Sequence, residues 1–108
     1  MTVGGHTYDI LSFLRGKEES VPVATMVARA KEMNAHLGSE DGENLLKNQG
    51  AIPVKLRGKV VFVFSDWRCP GSPGVVDCVY WRDDSWIKDW GWLGDGWNGR
   101  ARVLRRKS

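Results

Sequence analysis

The sequence predicts an α+β fold in which about three N-terminal helices pack on a four-stranded antiparallel β-meander. Apolar residues recur at helical spacing up to about residue 57, and from residue 59 they fall into short β-branched and aromatic runs separated by turn residues. No internal repeat or linker interrupts this order. We therefore predict a single domain over residues 1–108, with its helical part at about 7–57 and the meander at about 59–106.

The composition is that of an ordinary globular domain. With 42% apolar and 27% charged residues among 108, the chain can bury a core without metal or disulfide support. No apolar run approaches the ~20 residues that cross a membrane, and no signal peptide is visible, so we expect a cytoplasmic protein. Cys69 and Cys78 are the only cysteines, and we expect free thiols, with a disulfide between them as the open alternative.

Residues 7–16 are predicted to form the first helix. Thr7 is placed to cap it, Asp9 suits the first turn, and Gly16 suits the position just past the end. The apolar residues between them recur at helical spacing.

The second predicted helix has the clearest pattern. Ser20 and Pro22 open it, since proline is tolerated in a first turn, and Gly38 ends it. Its apolar stripe consists of Val23, Met26, Val27, Ala30, Met33 and Leu37. Ser39 caps a third helix that stops near Gln49, and a turn of helix and a connector follow up to Gly58.

The four predicted strands are Lys59–Phe64, Val75–Trp81, Trp86–Leu93 and Arg100–Arg106. The first is apolar on both faces, which favours a central position in the sheet. The last would lie at an edge, where unpaired backbone groups are offered to a partner.

A hairpin with Asp83 and Asp84 at its tip fixes the register of the second and third strands. The opposed pairs are then Trp81–Trp86, Val79–Lys88, Asp77–Trp90 and Val75–Trp92. Because directly opposed residues share a face, four rings point the same way, and Asp77 and Lys88 are placed on that face to form an ion pair. Two interpretations stay open: the rings belong to the core, or part of the ring face is a contact surface.

Charge is distributed unevenly along the chain. Residues 1–50 carry five Lys/Arg against seven Asp/Glu, whereas residues 51–108 carry eleven against six. Such a basic half can attract nucleic acid, and Trp97, in a glycine-rich turn beside the C-terminal arginines, could stack on a base. Arg105 lies on the opposite strand face from Arg100 and Arg102, which splits this basic signal.

Motifs for catalysis or metal binding are weak. His6, His36, Cys69 and Cys78 have the right types for zinc, but no pair has the close spacing of a zinc motif. Adjacent aspartates at a turn point apart and do not form an acid/base pair, and no hydrolase or phosphate-loop motif occurs. We therefore predict no enzyme, no cofactor, no metal and no small-molecule substrate.

A resemblance rests on the order of several short stretches along the chain. These are Met33–Gly38, Ile52-Pro53, Leu56–Lys59, the tryptophan hairpin and Gly99–Arg105. In this order they resemble a group of small uncharacterised bacterial proteins, open reading frames of environmental or candidate-lineage genomes. The resemblance implies N-terminal helices and a tryptophan-rich C-terminal hairpin, and it implies no activity and no binding residues.

The sequence thus predicts a non-enzymatic protein-interaction module that binds another protein or a second copy of itself. The tryptophan face and the fourth strand are the expected contacts. The candidate binding residues are Trp86, Trp90, Trp92, Trp97, Arg100 and Arg102. The alternative is a weak nucleic-acid binder that uses Trp97 and the C-terminal arginines.

Overall fold

The computed structural model describes the backbone of residues 1–69, 72–92, 96–98 and 100–107, and the side chains of residues 1–68, 76–89 and 100–107. In these ranges the chain forms two α-helices and eight β-strands. The helices are α1 (Val23–Glu32) and α2 (Ser39–Lys47), and 3₁₀ turns follow at Gln49–Ala51 and Val54–Leu56. The strands are β1 (Thr2–Val3), β2 (His6–Leu11), β3 (Ser20–Pro22), β4 (Val61–Cys69), β5 (Ser72–Arg82), β6 (Ser85–Trp92), β7 (Gly96–Asn98) and β8 (Ala101–Arg106).

Six of these strands form one mixed sheet in the order β1-β2-β8-β4-β5-β6. Its neighbours run antiparallel except β4 and β8, which pair in parallel through Val61 with Ala101 and Phe62 with Arg102. A separate two-stranded sheet joins β3 to β7. The prediction of a four-stranded antiparallel meander is therefore wrong: only β4-β5-β6 is a meander, and the fourth predicted strand lies inside the sheet rather than at its edge.

The first predicted helix is also wrong, because that segment is strand β2. Gly4 and Gly5, with φ of 54° and 84°, form a two-residue turn that pairs Val3 with His6. β2 then pairs with β8 over four residues from Tyr8 to Leu11. Long-range pairing and the Gly-Gly turn thus override a helical spacing that was too short to be decisive.

The second predicted helix is shorter at both ends than the pattern suggests. Residues 20–22 form β3, and α1 ends at Glu32 rather than near Gly38. Asn34 adopts φ of 55°, the left-handed conformation that ends a helix, and the chain turns there to bury Ala35. The third predicted helix is present as α2, but its N-cap is Gly38 rather than Ser39, which is the first helical residue and makes no capping hydrogen bond with its side chain.

The two helices pack on opposite faces of the sheet, not on one. Strand β4 shows this by alternation: Phe62 and Phe64 join the cluster that contains Leu45 of α2, whereas Val63 joins the cluster that contains Met26 of α1. Each apolar face of the sheet is therefore covered by its own helix.

The predicted hairpin register is confirmed. β5 and β6 pair Trp81 with Trp86 and Asp77 with Trp90, and Lys88 Nζ lies 3.8 Å from Asp77 Oδ2. Asp83 and Asp84 have φ of 49° and 71°, which is the type I′ geometry that matches strand twist. In the described residues, no helix has the length and apolar character required to cross a membrane.

Candidate functional site

Trp86, a predicted contact residue, is part of the core. Its side chain is 1% exposed, and its ring packs 5.4 Å from that of Phe62 and 5.9 Å from that of Trp81. Trp81 is half-buried at the margin of the same cluster. For Trp86, the core interpretation of the tryptophan face is correct, and its side chain offers no surface to a partner, whereas Trp81 is only partly buried.

The other three predicted tryptophans have only their backbones described. Trp90 and Trp92 lie on β6, opposite Asp77 and Val75, and Trp97 lies on β7 opposite Val21 of β3. The predicted glycine-rich turn around Trp97 therefore contains a short strand. The question whether these three rings are exposed falls outside the described residues.

The two predicted arginines lie at the start of β8, Arg100 just before the strand and Arg102 within it. Arg100 is exposed, and its Nη2 donates to the carbonyl oxygen of Gly58 at 2.9 Å. Arg102 is half-buried, and its Nη1 donates to the carbonyl oxygen of Ala101. Arg100 thus lies beside the connector before β4, far along β8 from the basic tail.

The C-terminal arginines are held in ion pairs. Arg105 Nη2 lies 2.9 Å from Asp9 Oδ2, and Arg106 Nε lies 2.8 Å from Asp41 Oδ1. Asp41 is buried and also accepts the Tyr8 hydroxyl at 2.7 Å. Burial, followed by this hydrogen bond, raises the pKa of Tyr8 to about 12. These contacts tie β8 to β2 and α2, so the tail arginines serve the fold.

Among the described strands, β6 lies at an edge of the six-stranded sheet, and this edge is the first feature that can receive a partner. Trp86 N–H donates to Gln49 Oε1 at 2.9 Å, and Gln49 Nε2 donates to the Trp86 carbonyl oxygen at 2.9 Å. A side-chain amide thus takes the place of a neighbouring strand at Trp86. Farther along the edge, no described hydrogen bond engages the outward N–H or C=O of Lys88. Sequence reasoning missed Gln49, because nothing local links it to residue 86.

A basic surface is the second feature. Lys55, Arg57 and Lys59 are exposed on the connector before β4, and the guanidinium carbon of Arg57 lies 4.3 Å from the centre of the Trp81 ring. In the part of the chain that the structure describes, no carboxylate forms an ion pair with these three residues. The signal for this surface is the basic stretch from Lys55 to Lys59, for which the sequence predicts only a connector.

A third feature is a buried carboxylate beside a bulge in β4. The register jumps from Phe64 opposite Asp77 to Arg68 opposite Val76, which lifts Trp67 over the sheet. Lys88 Nζ lies 5.1 Å from the Trp67 ring centre and is the ion-pair partner of Asp77. Burial raises the pKa of Asp77, and the Lys88 charge opposes that shift. Lys88 thus faces a buried acid with its side chain while its backbone lies on the open edge.

The described residues supply no metal-binding cluster. Among them, no three or more His, Cys, Asp or Glu side chains are grouped so as to hold a metal ion. Cys78 is a free, buried thiol, and burial, together with the charges of Asp89 and Asp77, raises its pKa to about 12. A thiol in that environment stays protonated and is a poor nucleophile.

Comparisons with known proteins do not extend this picture. No protein-family model matches the chain, and neither the curated proteins nor the solved structures give a match. The resemblance to small bacterial proteins therefore stays a prediction, and the functional argument rests on the β6 edge and the basic surface.

Proposed function

We propose that this protein is a non-enzymatic protein-binding module that accepts an extended segment of a partner along the free edge of β6. The observation that carries the proposal is that β6 ends the six-stranded sheet with eight residues, whereas the opposite edge, β1, has only two. A partner strand added to such an edge gains main-chain hydrogen bonds without rearrangement of the sheet.

The hydrogen bonds to Gln49 identify which residues of β6 face outward. Because the N–H and C=O of Trp86 point away from β5, the alternation of a strand places those of Lys88, Trp90 and Trp92 on the same outer side. Gln49 closes the edge at Trp86. The partner segment therefore pairs from Lys88 toward Trp92.

Charge disfavours two of the registers in which a second copy of this chain could pair with β6, whereas registers centred on Trp90 or Gly91 oppose no like charges. In a two-fold antiparallel pair of β6 strands, a register centred on Lys88 opposes two lysines, and one centred on Asp89 opposes two aspartates. A register centred on Ile87 needs the Trp86 groups that Gln49 already binds. An extended segment with an acidic residue opposite Lys88 meets none of these obstacles.

The test uses a matched pair of substitutions at Lys88. Lys88→Pro removes the outward N–H, which an edge strand tolerates, whereas Lys88→Gln keeps it, and both lose the contact with Asp77. Peptides are selected on the wild-type protein from a random display library, and their affinities for all three proteins are measured by calorimetry. We expect binding to Lys88→Pro to be at least about tenfold weaker and binding to Lys88→Gln to change by less than about threefold.

Hydrogen exchange locates the contact without a substitution. The Lys88 amide should become protected when a selected peptide binds to the wild-type protein. Peptides that bind Lys88→Pro as well as wild type, a failure to select any peptide, or a dimer whose affinity is unchanged in Lys88→Pro would each contradict the proposal.

The alternative function, nucleic-acid binding through Trp97 and the C-terminal arginines, has less support. Arg105 and Arg106 lie in ion pairs with Asp9 and Asp41, so contact with phosphate would have to break them. If the chain binds nucleic acid, the cations that contact phosphate are therefore others than Arg105 and Arg106.

A further inference from the structure

The fold gathers cations from separate parts of the chain at one end of the sheet. Val61 at the start of β4 lies beside Tyr80 near the end of β5 and beside Ala101 at the start of β8. The residues just before β4 and β8 therefore meet there, and Arg100 donates to the Gly58 carbonyl oxygen. We name this surface the basic end; it consists of Lys55, Arg57, Lys59 and Arg100.

The basic end contains a cation–π contact between Arg57 and Trp81. The Arg57 guanidinium lies over the Trp81 ring at 4.3 Å, and Trp81 in turn meets Trp86 edge-on, with 73° between the ring planes. Because Trp86 is buried in the core, its contact with Trp81 supports the Trp81 ring on the side of the core. Arg57 is exposed, so its guanidinium is accessible from solvent, and a guanidinium is a group on which a planar ring can stack.

The balance of charge at this end is positive. The acidic residues nearest to it in the hairpin are Asp83 and Asp84 at the tip, and Asp83 Oδ2 lies 3.6 Å from Arg82 Nε. The three connector cations have no such carboxylate partner among the described residues. Exposed cations around an aromatic platform are the combination that single-stranded nucleic-acid binders use.

We propose that the basic end binds single-stranded nucleic acid. One unpaired base stacks on the Arg57 guanidinium, and the neighbouring phosphates meet Lys55, Lys59 and Arg100. A paired base cannot stack there, because its neighbours in the duplex cover both of its own faces. The site is separate from the β6 edge, so it neither needs nor excludes a bound protein partner.

The first experiment compares two triple variants of equal charge. One variant changes Lys55, Arg57 and Lys59 to Gln, and the other changes Lys17, Lys31 and Lys47 to Gln, which are also exposed lysines. Binding of a fluorescent 12-nucleotide single strand is followed by anisotropy over a salt series. We expect the first variant to lower the slope of log K against log salt by about 1.4, since it removes the two phosphate contacts of Lys55 and Lys59 and each contact on a single strand contributes about 0.7. The second variant should keep the wild-type slope.

The second experiment isolates stacking from charge. Arg57→Lys keeps the positive charge and removes the planar group, so we expect affinity to fall about fivefold to tenfold while the salt slope stays that of the wild type. Lys88→Pro serves as the control for the other surface and should bind the oligonucleotide normally.

Each outcome of these experiments either supports or contradicts the proposal. The proposal is wrong if the wild-type protein ignores the oligonucleotide at low salt, if both triple variants lose the same affinity, or if Arg57→Lys binds as well as wild type. Binding of a duplex as tight as that of the single strand would overturn the stacking model as well. Circular dichroism of each variant confirms that the sheet is intact before affinities are compared.

Discussion

Gln49 shows how one side chain can determine where a sheet stops. Its amide gives one hydrogen bond to the backbone of Trp86 and takes another, both at 2.9 Å, and its Nε2 also lies 3.2 Å from the Leu46 carbonyl oxygen. An edge strand left open invites pairing with other chains, and natural proteins protect such edges. Here the protection covers the first part of β6 and leaves the stretch from Lys88 onward.

Gln49→Ala should therefore have two effects. We expect the free energy of unfolding to fall by about 1 kcal/mol, because water replaces both lost hydrogen bonds at this half-buried position. Self-association measured by sedimentation should rise, because the open edge becomes longer. Gln49→Glu keeps the acceptor for the Trp86 N–H but sets a carboxylate oxygen against the carbonyl oxygens of Trp86 and Leu46, so it should be no more stable than Gln49→Ala. Urea denaturation that shows no change for Gln49→Ala would contradict this role.

At the scale of elements, α2 lies close to the sheet because of a glycine. Gly42 is buried in the middle of α2, and a Cβ built on it would overlap the Trp67 ring. Trp67 in turn meets Phe64 edge-on at 5.8 Å. The bulge in β4 positions the Trp67 ring, and Gly42 leaves room for it. Both features therefore form one contact between α2 and β4.

Gly42→Ala should weaken that contact even though alanine favours a helix. We expect a loss of about 1–3 kcal/mol from overpacking, because the ring or the helix must shift. Gly50→Ala is the matched control, since nothing lies within 4 Å of its added Cβ, and it should change stability by less than about 0.5 kcal/mol. Thermal denaturation of both variants tests this, and equal melting temperatures would show that α2 adapts without cost.

The accuracy of sequence reasoning also depended on the element. The hairpin from Trp81 to Trp86 was predicted in correct register because a two-residue turn sets it locally. The helix α2 was recognisable from its own pattern. Strand β2 was not, because its identity depends on pairing with β8, and Tyr8 meets Arg106 across nearly the whole chain. The basic end could not be predicted from the sequence for the same reason, because Arg57 and Trp81 become neighbours only after β4 and β5 have paired.

For the whole molecule, two buried groups, Cys78 and Tyr8, limit the stability of the fold at high pH. Folding raises the pKa of Cys78 from 9.0 and that of Tyr8 from 10.0, in each case to about 12. Each group is easier to deprotonate in the unfolded chain, so the stability it supports is complete below the unfolded pKa and is lost as pH rises toward 12.

The free energy of unfolding should therefore fall between about pH 9 and pH 12, by a few kcal/mol in total, since one pKa unit corresponds to about 1.4 kcal/mol. Urea denaturation at a series of pH values measures this slope. Cys78→Ala should make the slope shallower, and Cys69→Ser, which leaves the buried thiol in place, is the control. A slope that Cys78→Ala leaves unchanged would show that other groups govern alkaline unfolding.

The position of β8 has a consequence for how fast this sheet can form. β8 is the only hydrogen-bonded link between the β1-β2 pair and the β4-β5-β6 meander among the described strands. The meander can assemble from near neighbours, but the other half must wait until β8 has closed a loop of nearly the entire chain. Closing this loop has an entropic cost, so we expect the domain to fold slowly for its size.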